Sequence, residues 1–457
     1  MIGIIDLAPS APMPILLLGL LVWAILAFRV VPKLEGAALF LFFAFSARYL
    51  VTFFHFHTTK PLIGAQSFSS IVTLSIALAG LVLFRKQMFR FPQFLPVHLF
   101  IAALIWSGLW NADPQGTINA VIRQVVFLSV AVGLVAAIDR EPNDGSISNR
   151  LLAVYVAPIL LQLISLLFDM GKTAESDASV SYIGGYVHEG VFSILLLTGM
   201  VMVALAAGMS WRRRTVLLAV FYTALIFANY RTTIVSAVPI LAAHVIFGSA
   251  AQFRAGMVGY VRTFAVVLTA CLGFFVASLM SKRMADIGIV LTDVTGLIKP
   301  PSDFDSADRG LLSGRIMIWN DYIFATVRSD ISHLFFGFGP DSWQKQFSVY
   351  AHNVYISYVY ELGLVGLAAF LWMVGSFLWM ALHARKDQRW MLVACHLAYL
   401  TLCLGTMPTF TIEGILLYAA ICGHTVYYRL ANRNKFGFVM PQSATRLAKA
   451  SPRRRIA

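Results

Sequence analysis

The chain has 457 residues, 59% of them hydrophobic and 12% charged, with a mean hydropathy of +0.77 and a net charge of +14. A soluble domain carries about 45–50% apolar and about 25% charged residues, and many apolar runs here reach the ~20 residues that span a bilayer. A soluble enzyme or binding module is excluded, and no basic-aromatic module accompanies the charge to suggest a nucleic-acid partner.

In chain order, apolar runs predict helices over 13–31, 36–54, 66–84, 93–110, 116–138, 150–168, 188–209, 213–229, 232–249, 262–280, 353–382, 389–407 and 410–428. The first 14 residues lack the basic start of a signal peptide, so the first run is expected to persist as a helix. Strongly basic links occur at Arg85-Lys86…Arg90, Arg212-Arg213-Arg214, Arg254…Arg262 and Arg385-Lys386…Arg389. With the basic tail, they all fall on one side of a thirteen-helix count, which marks that side as the cytoplasm. Residues 111–115, 169–187 and 281–352 then lie outside. The expected organisation is a transmembrane bundle of about ten helices over 1–280 and a large outer loop over 281–352. C-terminal transmembrane helices over 353–428 and a basic cytoplasmic tail over 429–457 follow. The tail holds eight Lys/Arg and no acid, which suits contact with anionic membrane lipid.

The outer loop departs from the otherwise short connections. From 281 to 351 it carries seven Lys/Arg and eight Asp, and it contains Trp319, Tyr322, Phe335, Phe336, Trp343 and Phe347. So aromatic a segment is not a disordered spacer. Ile316, Trp319 and Ile323 stand at helical spacing, which predicts a short amphipathic helix on the membrane surface with Ser313 as its N-cap. The four cysteines, Cys271, Cys395, Cys403 and Cys422, lie in apolar runs and read as small core residues.

The loop ends in Gly337-Phe-Gly-Pro-Asp-Ser-Trp, and then Tyr350-Ala-His352-Asn353 is followed by nine residues and Gly363-Leu-Val-Gly366. This resembles the O-antigen ligase and polysaccharide polymerase family of bacterial membrane glycosyltransferases, whose signature is His-Asn/Ser/Gln, nine residues, then GxxG. The ligases often continue with two hydroxyl residues, whereas Leu367-Ala368 stands here and leaves polymerase open. Ser313-Gly314-Arg315 with Trp319, Tyr230-Arg231-Thr232-Thr233, and Gly184-Gly185-Tyr186-Val187-His188-Glu189-Gly190 look like further family segments.

The resemblance implies an all-α polytopic membrane protein of about 12–13 transmembrane helices, similar to the C-type (GT-C) glycosyltransferases, with short helices in its large periplasmic loop. It implies a metal-independent inverting enzyme of the bacterial inner membrane with no cofactor. Such an enzyme moves a glycan from an undecaprenyl-diphosphate donor to a glycan or lipid A core hydroxyl, in exopolysaccharide, O-antigen or lipopolysaccharide synthesis. On that basis His352 is the catalytic base, and Arg231 and Arg315 bind the donor diphosphate. Asn353, Glu361, His188 and Glu189 are candidates for acceptor contact or support.

Elementary chemistry runs beside this. A departing diphosphate gathers negative charge that guanidinium groups stabilise through paired hydrogen bonds. An acceptor hydroxyl needs a base near neutral pH, and histidine is tuned for it. Glu361 lies about 13 Å along a helix from His352 at ~1.5 Å per residue, a depth at which a carboxylate is a functional candidate by default. Each residue also has a bland role: an Arg as headgroup anchor, Glu189 as a favourable charge in a first helical turn. Gly363 and Gly366 read as close-packing positions. Asp303-Phe-Asp305 with Asp308 is too short a pattern to establish a metal site, and consecutive geometry points His55 and His57 apart. The rival reading is a lipid-linked oligosaccharide flippase, although no internal repeat is visible.

Overall fold

Among the described residues, each of the thirteen apolar runs folds as helix. The computed structural model describes residues 11–432 apart from 65, 141–145, 174–178, 249–252, 254, 280–285, 287, 291 and 294. The first ten long helices are α1 Met13–Val30, α2 Gly36–Phe53, α3 Phe68–Arg90, α4 Leu95–Trp110, α5 Pro114–Arg140, α6 Val156–Leu167, α7 Glu189–Leu205, α8 Trp211–Ala228, α9 Arg231–Ala243 and α10 Val258–Leu279. The outer loop contributes α11 Arg315–Val327 and α12 Ile331–Phe336, and the chain continues through α13 Val354–Leu382, α14 Arg389–Gly405 and α15 Ile412–Ala431. Among the described residues the sheet is confined to two short two-stranded hairpins, 61–67 and 172–181. Among the described residues, eight helical segments are long and apolar enough to cross a membrane.

Helices α5 and α15 form the centre. Every residue from Val126 to Ile138 and from Ile412 to Leu430 is buried, the pattern of helices that are covered all round. They meet at Gly423, where a Cβ would lie 2.8 Å from the Ala131 carbonyl oxygen, so only glycine permits that approach. The rim is reversed. Phe28, Val82 and Phe274 are each about four-fifths exposed, a surface suited to hydrocarbon rather than water.

Helix α13 is interrupted at Gly363, whose φ of +66° and ψ of −171° leave the helical region. The interruption is filled by the loop. The Tyr360 and Glu361 carbonyls accept from the Phe338 and Gly339 amides at 3.0 and 2.9 Å. From α4, Ser107 Oγ donates to the Phe336 and Glu361 carbonyls, and Asn111 Nδ2 donates to the Gly337 carbonyl. The approach is reciprocal: a Cβ on Gly363 would lie 2.3 Å from Phe335 backbone, and one on Gly337 would lie 2.3 Å from Glu361 backbone. The sequence reading of Gly363 as a packing position thus omitted its backbone conformation.

Two expectations need amendment. Ser313 does not cap the loop helix; it adopts φ +61° in the preceding turn, and Gly314, also left-handed, stands at the cap position before Arg315. The tail expected over 429–457 begins as helix: Arg429 is buried in α15 and donates to the His383 carbonyl. Residues 433–457 lie outside those described.

Candidate functional site

The loop helix α11 uses one face to hold the segment before α13. Tyr322 Oη donates to the Val349 carbonyl at 3.0 Å, and Trp319 Nε1 donates to the Ala351 carbonyl at 2.8 Å. Arg315, one turn earlier on that face, is an electrostatic neighbour of His352. These contacts secure His352 in a left-handed conformation, φ +52°, a strained backbone that persists only where its surroundings impose it. The Tyr350 ring lies 4.1 Å from the His352 ring, centroid to centroid, and Nδ1 of His352 is buried with no hydrogen-bond partner among the described residues. Burial, then the positive fields of Arg315 and His188, lower the His352 pKa to about 3, so the imidazole is neutral.

Three helix N-termini gather here. Asn353 caps α13, its Oδ1 accepting from the Tyr355 and Ile356 amides at 3.0 and 3.2 Å. His188 caps α7, its Nδ1 accepting from the Gly190 amide at 3.0 Å. That bond places the proton of a neutral His188 on Nε2, which lies 3.6 Å from Glu189 Oε1. Glu189 in turn pairs with Lys172 at 2.9 Å. Tyr230 precedes α9, with its ring 6.4 Å from the His188 ring. Arg231 opens α9, half-buried, and the next residue, Thr232, borders Gly405 as Arg315 does: a Cβ there would lie 2.7 Å from Thr232 Cγ2 and 3.4 Å from an Arg315 Nη atom. The helix N-termini and Arg315 make a field that favours an anion, while Lys172 is balanced by Glu189.

Beside this cluster lies a cavity of about 440 Å³. His188, Tyr350 and Thr406 line one part; Arg123, Asp341 and Trp343 line another, with an apolar wall including Val191, Phe347 and Phe410. Arg123, from α5, binds both oxygens of Asp341 at 3.1 and 2.7 Å. Glu361 belongs to this second group rather than to the His352 cluster: Oε2 accepts from the Asp341 amide and Oε1 from Ser357 Oγ, both at 3.0 Å. Its contacts tie the loop to the interrupted α13.

His352, Arg315 and His188 with Glu189 are therefore brought together; Asn353 adjoins them with its amide carbonyl committed to the cap. Arg123–Asp341, Lys172 and Tyr350 escaped the sequence reading. Arg123 was visible as a charge inside an apolar run, a signal in its own right, but nothing local indicated its partner. Of the weaker signals, Asp305 caps a short helix through the Asp308 amide, and Asp308 pairs with Lys299. His55 is buried and His57 exposed. The chain matches no protein-family model and no curated protein sequence.

Proposed function

We propose that this chain is an O-antigen ligase-like glycosyltransferase of the C-type class with 12–13 spans, working on the periplasmic face of a bacterial inner membrane. It takes a glycan from an undecaprenyl-diphosphate donor. The observation that carries the reading is the buried His352, its Nδ1 without a hydrogen-bond partner among the described residues, beside Arg315 at three gathered helix N-termini. The helix ends involved, at residues 188, 230 and 352, all belong to the side that the basic links assign to the exterior.

In the proposed reaction His352 takes the proton of the acceptor hydroxyl as its oxygen attacks the anomeric carbon. The bond from that carbon to the phosphate oxygen breaks, its electron pair stays on the lipid diphosphate, and configuration inverts. Arg231 and Arg315 stabilise the leaving charge. Donor binding also prepares the base. The diphosphate offsets the Arg315 field, which after burial is the next cause of the low His352 pKa, so a bound donor makes the imidazole more basic. The acceptor then decides the name: a second lipid-linked repeat makes a polymerase, lipid A core a ligase, and a protein hydroxyl an oligosaccharyltransferase.

The interrupted α13 is a feature that transporters share. Here the freed carbonyls of Tyr360 and Glu361 are occupied by loop amides and Ser107, which favours a fixed joint over an ion site. The test is to present the purified protein with a lipid-diphosphate glycan and each acceptor class. Glycan transfer to one class supports the reading. Translocation of the intact donor across vesicles without transfer would replace it by the flippase.

A further inference from the structure

The opposite, basic end of the bundle holds a second cavity, of about 450 Å³, to which the transfer chemistry assigns no role. Its walls are the first turn of α8, the end of α9, the start of α10 and the link from α13 to α14. Arg214, Arg262 and Lys386 line it, and the acid among its described lining residues, Asp387, is occupied by Arg385 through two bonds of 2.7 Å. The cavity is left with an excess of positive charge.

Its aromatic walls are ordered. Trp211 stacks on His244 at 5.8 Å and 18°, and Phe247 stacks on Trp390 at 5.5 Å and 9°. Between them α9 ends in a π-helical turn, His244–Gly248, a local widening found often at functional sites. His244 is 3% exposed, and its Nε2 bonds Thr215 at 2.8 Å. Its Nδ1 has no partner among the described residues, and the same holds for Trp211 Nε1 and Arg214 Nε. A Cβ on Gly248 would lie 3.2 Å from His244 Nδ1 and 3.4 Å from Trp211 Nε1, so both nitrogens border the same small space. Buried donors without acceptors are rare in folded proteins. Trp211 Nε1 and Arg214 Nε are two such donors, and beside Arg262 and Lys386 they describe a site short of one ligand. Thr215 Oγ1 donates to the Trp211 carbonyl and accepts from His244 Nε2, which leaves His244 Nδ1 an acceptor.

We propose that this cavity binds a phosphate group, carried by an anionic phospholipid headgroup or free in solution. Guanidinium forks and indole N–H groups suit its several acceptor oxygens, and the basic end of a membrane bundle is where anionic headgroups lie. The site is independent of His352 and of the proposed transfer.

The test uses the purified protein in detergent with phosphatidic acid, zwitterionic phosphatidylcholine or inorganic phosphate, lipid adducts being counted by native mass spectrometry and phosphate binding measured by calorimetry. Phosphatidic acid or inorganic phosphate is expected to bind. Affinity should fall about 25-fold in R262Q/K386Q, at roughly fivefold per cation, and be unchanged in R212Q/R213Q, whose arginines are exposed on the same end. W211F, which keeps most of the packing and removes one donor, should weaken binding several-fold at an unchanged melting temperature. Retention of phosphatidic acid alone identifies a headgroup, and binding of inorganic phosphate identifies the soluble ligand. Failure of both to bind, equal binding of phosphatidylcholine, or an equal loss in R212Q/R213Q would overturn the proposal.

Discussion

Replacing Gly363 by alanine tests how α13 and the outer loop are joined. Its φ of +66° and ψ of −171° fall in a region used almost only by glycine, which costs another residue about 1–3 kcal/mol. The new Cβ would also lie 2.3 Å from the Phe335 carbonyl carbon and oxygen. Those are backbone atoms, and they cannot retreat without breaking the Phe338 and Gly339 bonds to α13. Overpacking of this kind adds about 1–3 kcal/mol. Together they remove about 2–6 kcal/mol, a large part of the ~5–15 kcal/mol that holds a typical domain. Gly375 supplies the control: it lies in the same helix with nothing within 4 Å of its Cβ position, so G375A should be neutral or stabilising by up to ~1 kcal/mol. Thermal unfolding in detergent, with limited proteolysis across 335–341, reads both variants. A G363A protein that melts with the wild type and resists cleavage equally would refute the reasoning.

Arg123→Met should destabilise by about 3–5 kcal/mol, because it strands Asp341 near Glu361 in a covered site. Combining it with Asp341→Asn should return at least ~1 kcal/mol as coupling in a double-mutant cycle, and additive losses would contradict the pairing. Asn353→Ala should lower stability by about 1 kcal/mol through the lost cap while Asn353→Asp retains it, as thermal unfolding of the two variants would read. For pH, a His352 held at about 3 when folded and near 6.5 when unfolded binds fewer protons in the native state. Its contribution to stability is present above pH ~6.5 and is lost as pH falls toward 3. Arg315→Gln removes a depressing charge, so the acid limb of kcat/KM should move to higher pH; a limb that stays or moves lower would sever the Arg315–His352 link.

The helices were legible because hydrophobicity is a local property: thirteen runs in the chain became thirteen helices, with ends shifted by a few residues. The His352 to Gly363 spacing was legible for the same reason, since both lie in one continuous stretch. Pairings between distant segments were not. Arg123 and Asp341 are separated by 218 positions, and Arg48 and Glu413, another ion pair at the bundle centre, by 365. Charges within apolar runs announced that partners exist without saying which. Backbone reversals escaped as well. Glycine at 363 fits helix packing equally well, and only the chain passing at Gly337 reveals a break. Ser313 fails as a cap because it is itself left-handed, and Gly314 stands between it and Arg315.

The most direct test of the account is transfer from a lipid-diphosphate glycan by purified wild type and H352A, with donor binding measured on both. The account predicts donor affinity within about threefold and transfer reduced by about 10²–10⁴, the usual worth of a positioned base. H352A that transfers glycan at the wild-type rate would contradict it.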